Sequence, residues 1–105
     1  MAHEVLYKHP NDEVSYPVDF TEDLTGDTTI SSSSVVTAVD SGGTDASSTI
    51  VTTPTRSGMI LTSILKGGTD LEDYTVTFTG RGTTTSSDFT RIVELRVRTK
   101  FLGNV

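Results

Sequence analysis

The sequence predicts an all-β fold, an antiparallel β-sandwich of about seven strands. Three observations predict it. Apolar residues recur at period two rather than 3.6 in one segment after another. Turn signals separate these segments every 8–15 residues. Thr occurs 20 times and Ser 12 times in 105 residues, while hydrophobic residues make up only 33%. Threonines that alternate with Val, Tyr, Phe and Ile cover the wet face of a sheet, where β-branched residues fit well. A thin two-layer sandwich with polar outer faces has this composition.

The elements follow in order. Residues 1–13 read as an extended N-terminal leader, charged within and lacking the apolar core of a signal peptide. In residues 14–20, Val14, Tyr16, Val18 and Phe20 alternate with Ser15, Pro17 and Asp19, a half-buried strand. Pro17 cannot donate to a ladder, so this strand belongs at an edge or carries a break. Leu24, Thr25, Gly26 and Asp27 supply a turn. Residues 28–39 are β-branched and poor in helix formers, with Ile30 and Val35 to Val39 as anchors. They predict one long strand, or two short ones parted near the Ser31–Ser34 run.

Residues 40–45 form a loop around Gly42 and Gly43. Residues 49–53 predict a short strand that stops at Pro54, and residues 58–65 a buried one around Met59, Ile60, Leu61, Ile64 and Leu65. In residues 74–79, Tyr74, Val76 and Phe78 alternate with threonines. Gly80-Arg81-Gly82 opens a loop through Ser87. In residues 89–99, Val93, Leu95 and Val97 share one face, with charges and Ile92 on the other. Residues 14–99 are thus the expected sandwich, preceded by the 1–13 arm and followed by a tail over 100–105. The turn Leu71-Glu72-Asp73 ahead of Tyr74 has the layout of a tyrosine corner, in which the hydroxyl ties back to backbone a few residues upstream. Tyr74 is therefore a candidate structural residue, and the sandwich reads as immunoglobulin-like.

Charge and residue inventory exclude much chemistry. There is no Cys, so no disulfide, thiolate metal site or cysteine nucleophile is possible. His3 and His9, the two histidines, both fall in the leader, away from any nucleophile a base could activate. The carboxylate pairs Asp12/Glu13, Glu22/Asp23 and Asp70/Glu72/Asp73 sit in predicted turns rather than across a cleft. No residue set has the spacing of a zinc or calcium site, so neither catalysis, metal nor cofactor is expected. No apolar run approaches the roughly 20 residues of a membrane-spanning helix. A net charge of −6 disfavours nucleic acid.

The charge is uneven. Residues 1–45 hold nine acids and one base, Lys8; residues 46–105 hold five acids and seven bases. The asymmetry serves solubility, or it provides complementary surfaces for a head-to-tail ring. Arg91, Arg96, Arg98 and Lys100 either blunt an edge strand or form an interface patch. The leader and tail lie outside the expected core, which makes them the contacting arms. The candidate interface residues are Tyr7, His9, Asp12, Glu13, Arg96, Arg98, Lys100 and Phe101.

The leader 7–14 (Tyr7-Lys8-His9-Pro10-Asn11-Asp12-Glu13-Val14), the strand 16–20 and Gly26-Asp27-Thr28 come in a particular order. They are followed by Leu65-Lys66-Gly67-Gly68-Thr69, then Tyr74-Thr75-Val76-Thr77 and the closing 91–100 strand. In order and spacing this chain resembles small tailed-bacteriophage virion proteins with a single immunoglobulin-like domain, of the fibre–tail adaptor or neck and tail accessory type. It departs from them in lacking Trp and in the longer Thr/Ser stretch after Gly80-Arg81. The resemblance implies a non-enzymatic structural protein, made in the host cytoplasm and built into the virion at the neck or tail. It implies many copies in a homo-oligomeric ring or array and contacts with portal, neck, tail, fibre or capsid proteins. Two alternatives stand beside it: a capsid decoration protein, and a carbohydrate-binding or adhesin module.

Overall fold

A computed structural model describes residues 4–99. The elements are β1 (Glu4–Lys8), β2 (Val14–Asp19), β3 (Val35–Asp40), α1 (Ser47–Ile50), β4 (Thr55–Ser57), β5 (Ile60–Leu65), β6 (Asp73–Arg81) and β7 (Asp88–Val97). They form a four-stranded sheet in the order β1-β7-β6-β3 and a three-stranded sheet in the order β2-β5-β4. Within each sheet neighbours run antiparallel, except that β1 runs parallel to β7.

The period-two pattern decides which side chains meet between the sheets. From the four-stranded sheet come Val36 and Ala38 of β3, Tyr74, Val76 and Phe78 of β6, and Val93, Leu95 and Val97 of β7, all buried. The other sheet contributes Val18, Leu61 and Leu65, and the segments between strands add Phe20, Leu24, Ile30, Ile50 and Met59. Each fully buried side chain of this size stabilises the fold by about 1.5–3 kcal/mol relative to exposure. One inward position of β6 is Gly80, because the Phe20 ring lies flat against it. A Cβ there would stand 2.8 Å from the ring.

The all-β sandwich is the expected fold, and β2 with Pro17 is an edge strand of its sheet. Several details differ. The leader is not wholly outside the sheet: residues 4–8 pair with Val93–Val97 of β7, and they do so in parallel, so the sandwich is not antiparallel throughout. Residues 28–39 are not one strand. Ile30 makes an isolated bridge to Gly82, Ser31 to Ser34 turn, and β3 begins at Val35. Residues 49–53 do not form a strand; a single helical turn, α1, brings Ile50 into the core, and Val51 bridges Leu65. Here burial of one isoleucine outweighs β propensity.

Candidate interaction surface

The outer face of the four-stranded sheet brings two of the candidate residues together. Tyr7 lies on β1 opposite Arg96 of β7. The Arg96 guanidinium carbon stands 5.7 Å from the centroid of the Tyr7 ring, and Nη1 donates to the Tyr7 hydroxyl at 3.0 Å. Nη2 of the same guanidinium donates to Glu94 Oε2 at 3.0 Å. The hydrogen bond to Tyr7, then those to Glu94, hold Arg96 charged beyond its ordinary range. Tyr7 remains 52% exposed and Val5, two residues back on the same face, 45%. Tyr7 and Arg96 thus form one patch, a ring against a guanidinium whose charge Glu94 balances.

His9, Asp12 and Glu13 fall in the turn that follows β1. The His9 amide donates to Asp12 Oδ2 at 3.3 Å, and Asn11 donates its amide to His9 Nδ1 at 3.0 Å. Glu13 is exposed. Arg98 lies at the same end of the sheet, its amide donating to the Lys8 carbonyl at 2.9 Å. Its guanidinium is engaged within the chain, by Asp73 at 2.8 Å and by the Glu72 and Val97 carbonyls. Lys100 and Phe101 lie outside the described residues. Tyr74 faces inward and its hydroxyl accepts the Thr69 amide at 3.1 Å, five residues upstream.

Two grooves shape the rest of the surface. A groove of about 230 Å³ runs along one open side of the sandwich, lined by Glu4, Tyr16, Pro17, Asp19, Arg91 and Ile92 among others. The Tyr16 hydroxyl donates to Glu4 in it. Arg91 is neutralised by Asp23 at 2.8 Å. A second groove of about 230 Å³ runs along the other open side, lined by Ser34, Val35, Val36, Thr53, Pro54 and Arg56 among others. Arg56 donates to the Ile30 carbonyl at 3.1 Å and has no carboxylate partner among the described residues.

Two buried charges fix the ends of the sandwich. Lys8, 1% exposed, donates to the carbonyls of Gly67 at 2.6 Å and His9 at 2.8 Å. Burial lowers its pKa from the usual lysine value, with Asp12 and Glu13 pulling the other way. Its signal in the sequence was its isolation as the one base among nine acids in residues 1–45. At the opposite end Asp27 accepts the amides of Thr84 at 2.6 Å and Thr85 at 3.1 Å, and the Thr85 hydroxyl at 2.6 Å. These bonds, the Thr85 hydroxyl first, hold Asp27 below the usual carboxylate range. Among the described residues no three His, Cys, Asp or Glu side chains converge as metal ligands do. No described helix is long and apolar enough to cross a membrane.

A surface of this kind, with exposed apolar residues at sheet edges and charges held in place around them, suits contact with other proteins. The family described as podophage GP4 fiber-tail adaptor protein gp77 matches residues 8–98 of the chain. The chain belongs to this family. No curated protein and no solved structure matches it. The match to the fibre–tail adaptor family runs from Lys8 to Arg98 and so takes in the sandwich from β2 to β7. The chain is accordingly a structural adaptor of the phage tail, with its place in the virion and other virion proteins, the tail fibre among them, as its partners.

Proposed function

We propose that this chain is a non-catalytic joint at the neck or tail, present in several copies that bind one another and the proteins on either side. The family match over residues 8–98 carries the reading, because it spans the sandwich from β2 to β7 and not an appendage alone. The strand partition supports an immunoglobulin-like domain. β3, β6 and β7 share one sheet and β2, β4 and β5 the other, as the corresponding strands do in such sandwiches. Within this reading the Tyr7–Arg96 patch and the His9–Glu13 turn are contact sites for partners. The carbohydrate-binding alternative has less support, since Phe20, Phe78 and Tyr74 are buried and, among the described residues, only Tyr7 offers a widely exposed ring.

Electron microscopy of the source particle, with the protein located by labelling, tests this reading. Several copies at the tail, and particles that lack fibres when the chain is absent, are the expected result. Copies spread over the capsid lattice would instead favour the decoration role, and specific binding on a glycan array the adhesin role.

A further inference from the structure

A sheet has two edges, and this sandwich has four in all: β1 and β3 in one sheet, β2 and β4 in the other. Proteins blunt such edges against uncontrolled pairing. Three are blunted here. β2 carries Pro17, and β4 is three residues long. Much of β3 is covered by the loop that follows it. Ala46 donates to the Ala38 carbonyl at 2.8 Å, the Ala38 amide donates to Ser47 Oγ at 2.9 Å, and Asp40 donates to the Thr44 carbonyl at 2.9 Å. That cover stops short of Val35, which is 47% exposed.

β1 has none of these devices. It holds no proline, it is five residues long, and nothing among the described residues pairs with its outer edge. Its outward side chains, Val5 and Tyr7, are apolar and exposed. The open parts of the four-stranded sheet are therefore β1 at one edge and the start of β3 at the other, and each carries exposed hydrophobic side chains.

Charge distinguishes the two edges. The groove beside β1 holds Glu4 and Asp19, and Glu22 stands in the adjoining hollow with Asp19. The one base there, Arg91, is already neutralised by Asp23. The groove beside β3 holds Arg56 and no acid. The grooves also lie at one height. Arg91 pairs with Phe78, which pairs with Val36, so a single line across the sheet joins them. Glu4 pairs with Val93, and Val35 lies across Thr79 from Thr90. The offset between them is three residues, about 10 Å along the strands. Such an offset tilts strands relative to a ring axis, as shear does in a barrel.

We infer that copies of this chain join head to tail, the β1 edge of one against the uncovered start of β3 in the next, with Arg56 of the second facing Glu4 and Asp19 of the first. The inference rests on the multi-copy reading above and names the surfaces involved. An acidic, apolar edge against a basic, apolar edge is a heterologous contact. It propagates and closes into a ring when the rotation allows. It also lets the two chain halves of opposite charge serve assembly, and makes it sensitive to salt.

Two variants test it, each blocking one edge at exposed positions. Glu4→Arg with Val5→Lys blocks the β1 side; Val35→Lys with Arg56→Ala blocks the β3 side. Circular dichroism verifies that both remain folded. Analytical ultracentrifugation is expected to show wild-type species larger than a monomer, diminished by salt, and each variant alone as a monomer. An equimolar mixture of the two variants is expected to give a dimer and nothing larger, since only one intact edge of each remains. A monomeric mixture, or variants that self-associate like wild type, overturns the inference, as does a wild-type chain that is monomeric at its highest soluble concentration. Each of those results leaves the multi-copy reading to stand or fall on the copies counted in the particle.

Discussion

The ammonium of Lys8 stands 2.6 Å from the carbonyl oxygen of Gly67, fifty-nine residues away in sequence. The contact ties the end of β1 to the loop between β5 and β6, and so links the first strand of one sheet to a turn leaving the other. Replacing Lys8 with Met keeps most of the buried stem but strands the carbonyls of Gly67 and His9. The expected loss is about 1–3 kcal/mol, read from urea denaturation. A variant as stable as wild type would show that the ammonium is not needed there.

Asp27 gives the fold a pH dependence. Hydrogen bonds hold its pKa, and those of Asp19 and Asp45, below the usual carboxylate value. Between the unfolded value of about 3.9 and the lower folded values, the unfolded chain binds more protons. The stabilisation is therefore fully present above the unfolded value and is lost as pH falls through the folded ones. The melting temperature is expected to drop more steeply below pH ~4 in wild type than in Asp27→Asn. Equal slopes would assign the acid sensitivity to other groups.

Gly82 is the partner position of Asp27. A Cβ at Gly82 would lie 2.0 Å from Asp27 Oδ2, whose carboxylate is held by three hydrogen bonds and cannot give way freely. Gly82→Ala is expected to cost about 2 kcal/mol or more. Gly42→Ala, where the nearest heavy atom is 3.5 Å off, is the mild control. Similar melting temperatures for the two variants would contradict this account.

Tyr74→Phe removes the acceptor of the Thr69 amide. The cost is expected to be about 1 kcal/mol, measured as a shift of the denaturation midpoint. An unchanged midpoint would leave Tyr74 as a packing residue alone.

Deleting residues 1–8 removes β1 and the buried Lys8, and bares the edge of β7 from Val93 to Val97. Lower thermal stability and aggregation beyond the wild-type species are the expected outcomes, read by calorimetry and light scattering. A shortened chain that melts like wild type would return this segment to the role of a free arm.

These results show which features the sequence made legible. β2, β6 and β7 could be read because apolar residues alternate along them and face inward, as Tyr74, Val76 and Phe78 do; β5 could be read as a short apolar run, although its Ile60 and Ile64 turn out to be exposed. β1 could not, because its pattern is reversed: the exposed positions are Val5 and Tyr7 and the buried end is Lys8. A lysine satisfied by carbonyls has no periodic signature. α1 is one turn long, too short for helical periodicity. Of the candidate interface residues, Tyr7 and Arg96 meet across a register that only strand pairing defines. Arg98 looked like surface charge because its partners, Asp73 and the Glu72 carbonyl, are about 25 residues distant. Arg56 and Glu4 gave no signal, since a groove along a sheet edge is a property of two sheets and not of a motif.

The parallel pairing of β1 with β7 sets how the adaptor carries force. The chain enters this pair at Glu4, beside Val93, and leaves it past Val97, beside Lys8. Opposite pulls on the two ends drag the strands past each other lengthwise. All five residues of β1 then share the load at once, instead of parting one after another as the strands of a peeled hairpin do. In the joint proposed above, this pair would resist traction along its strands better than traction across them.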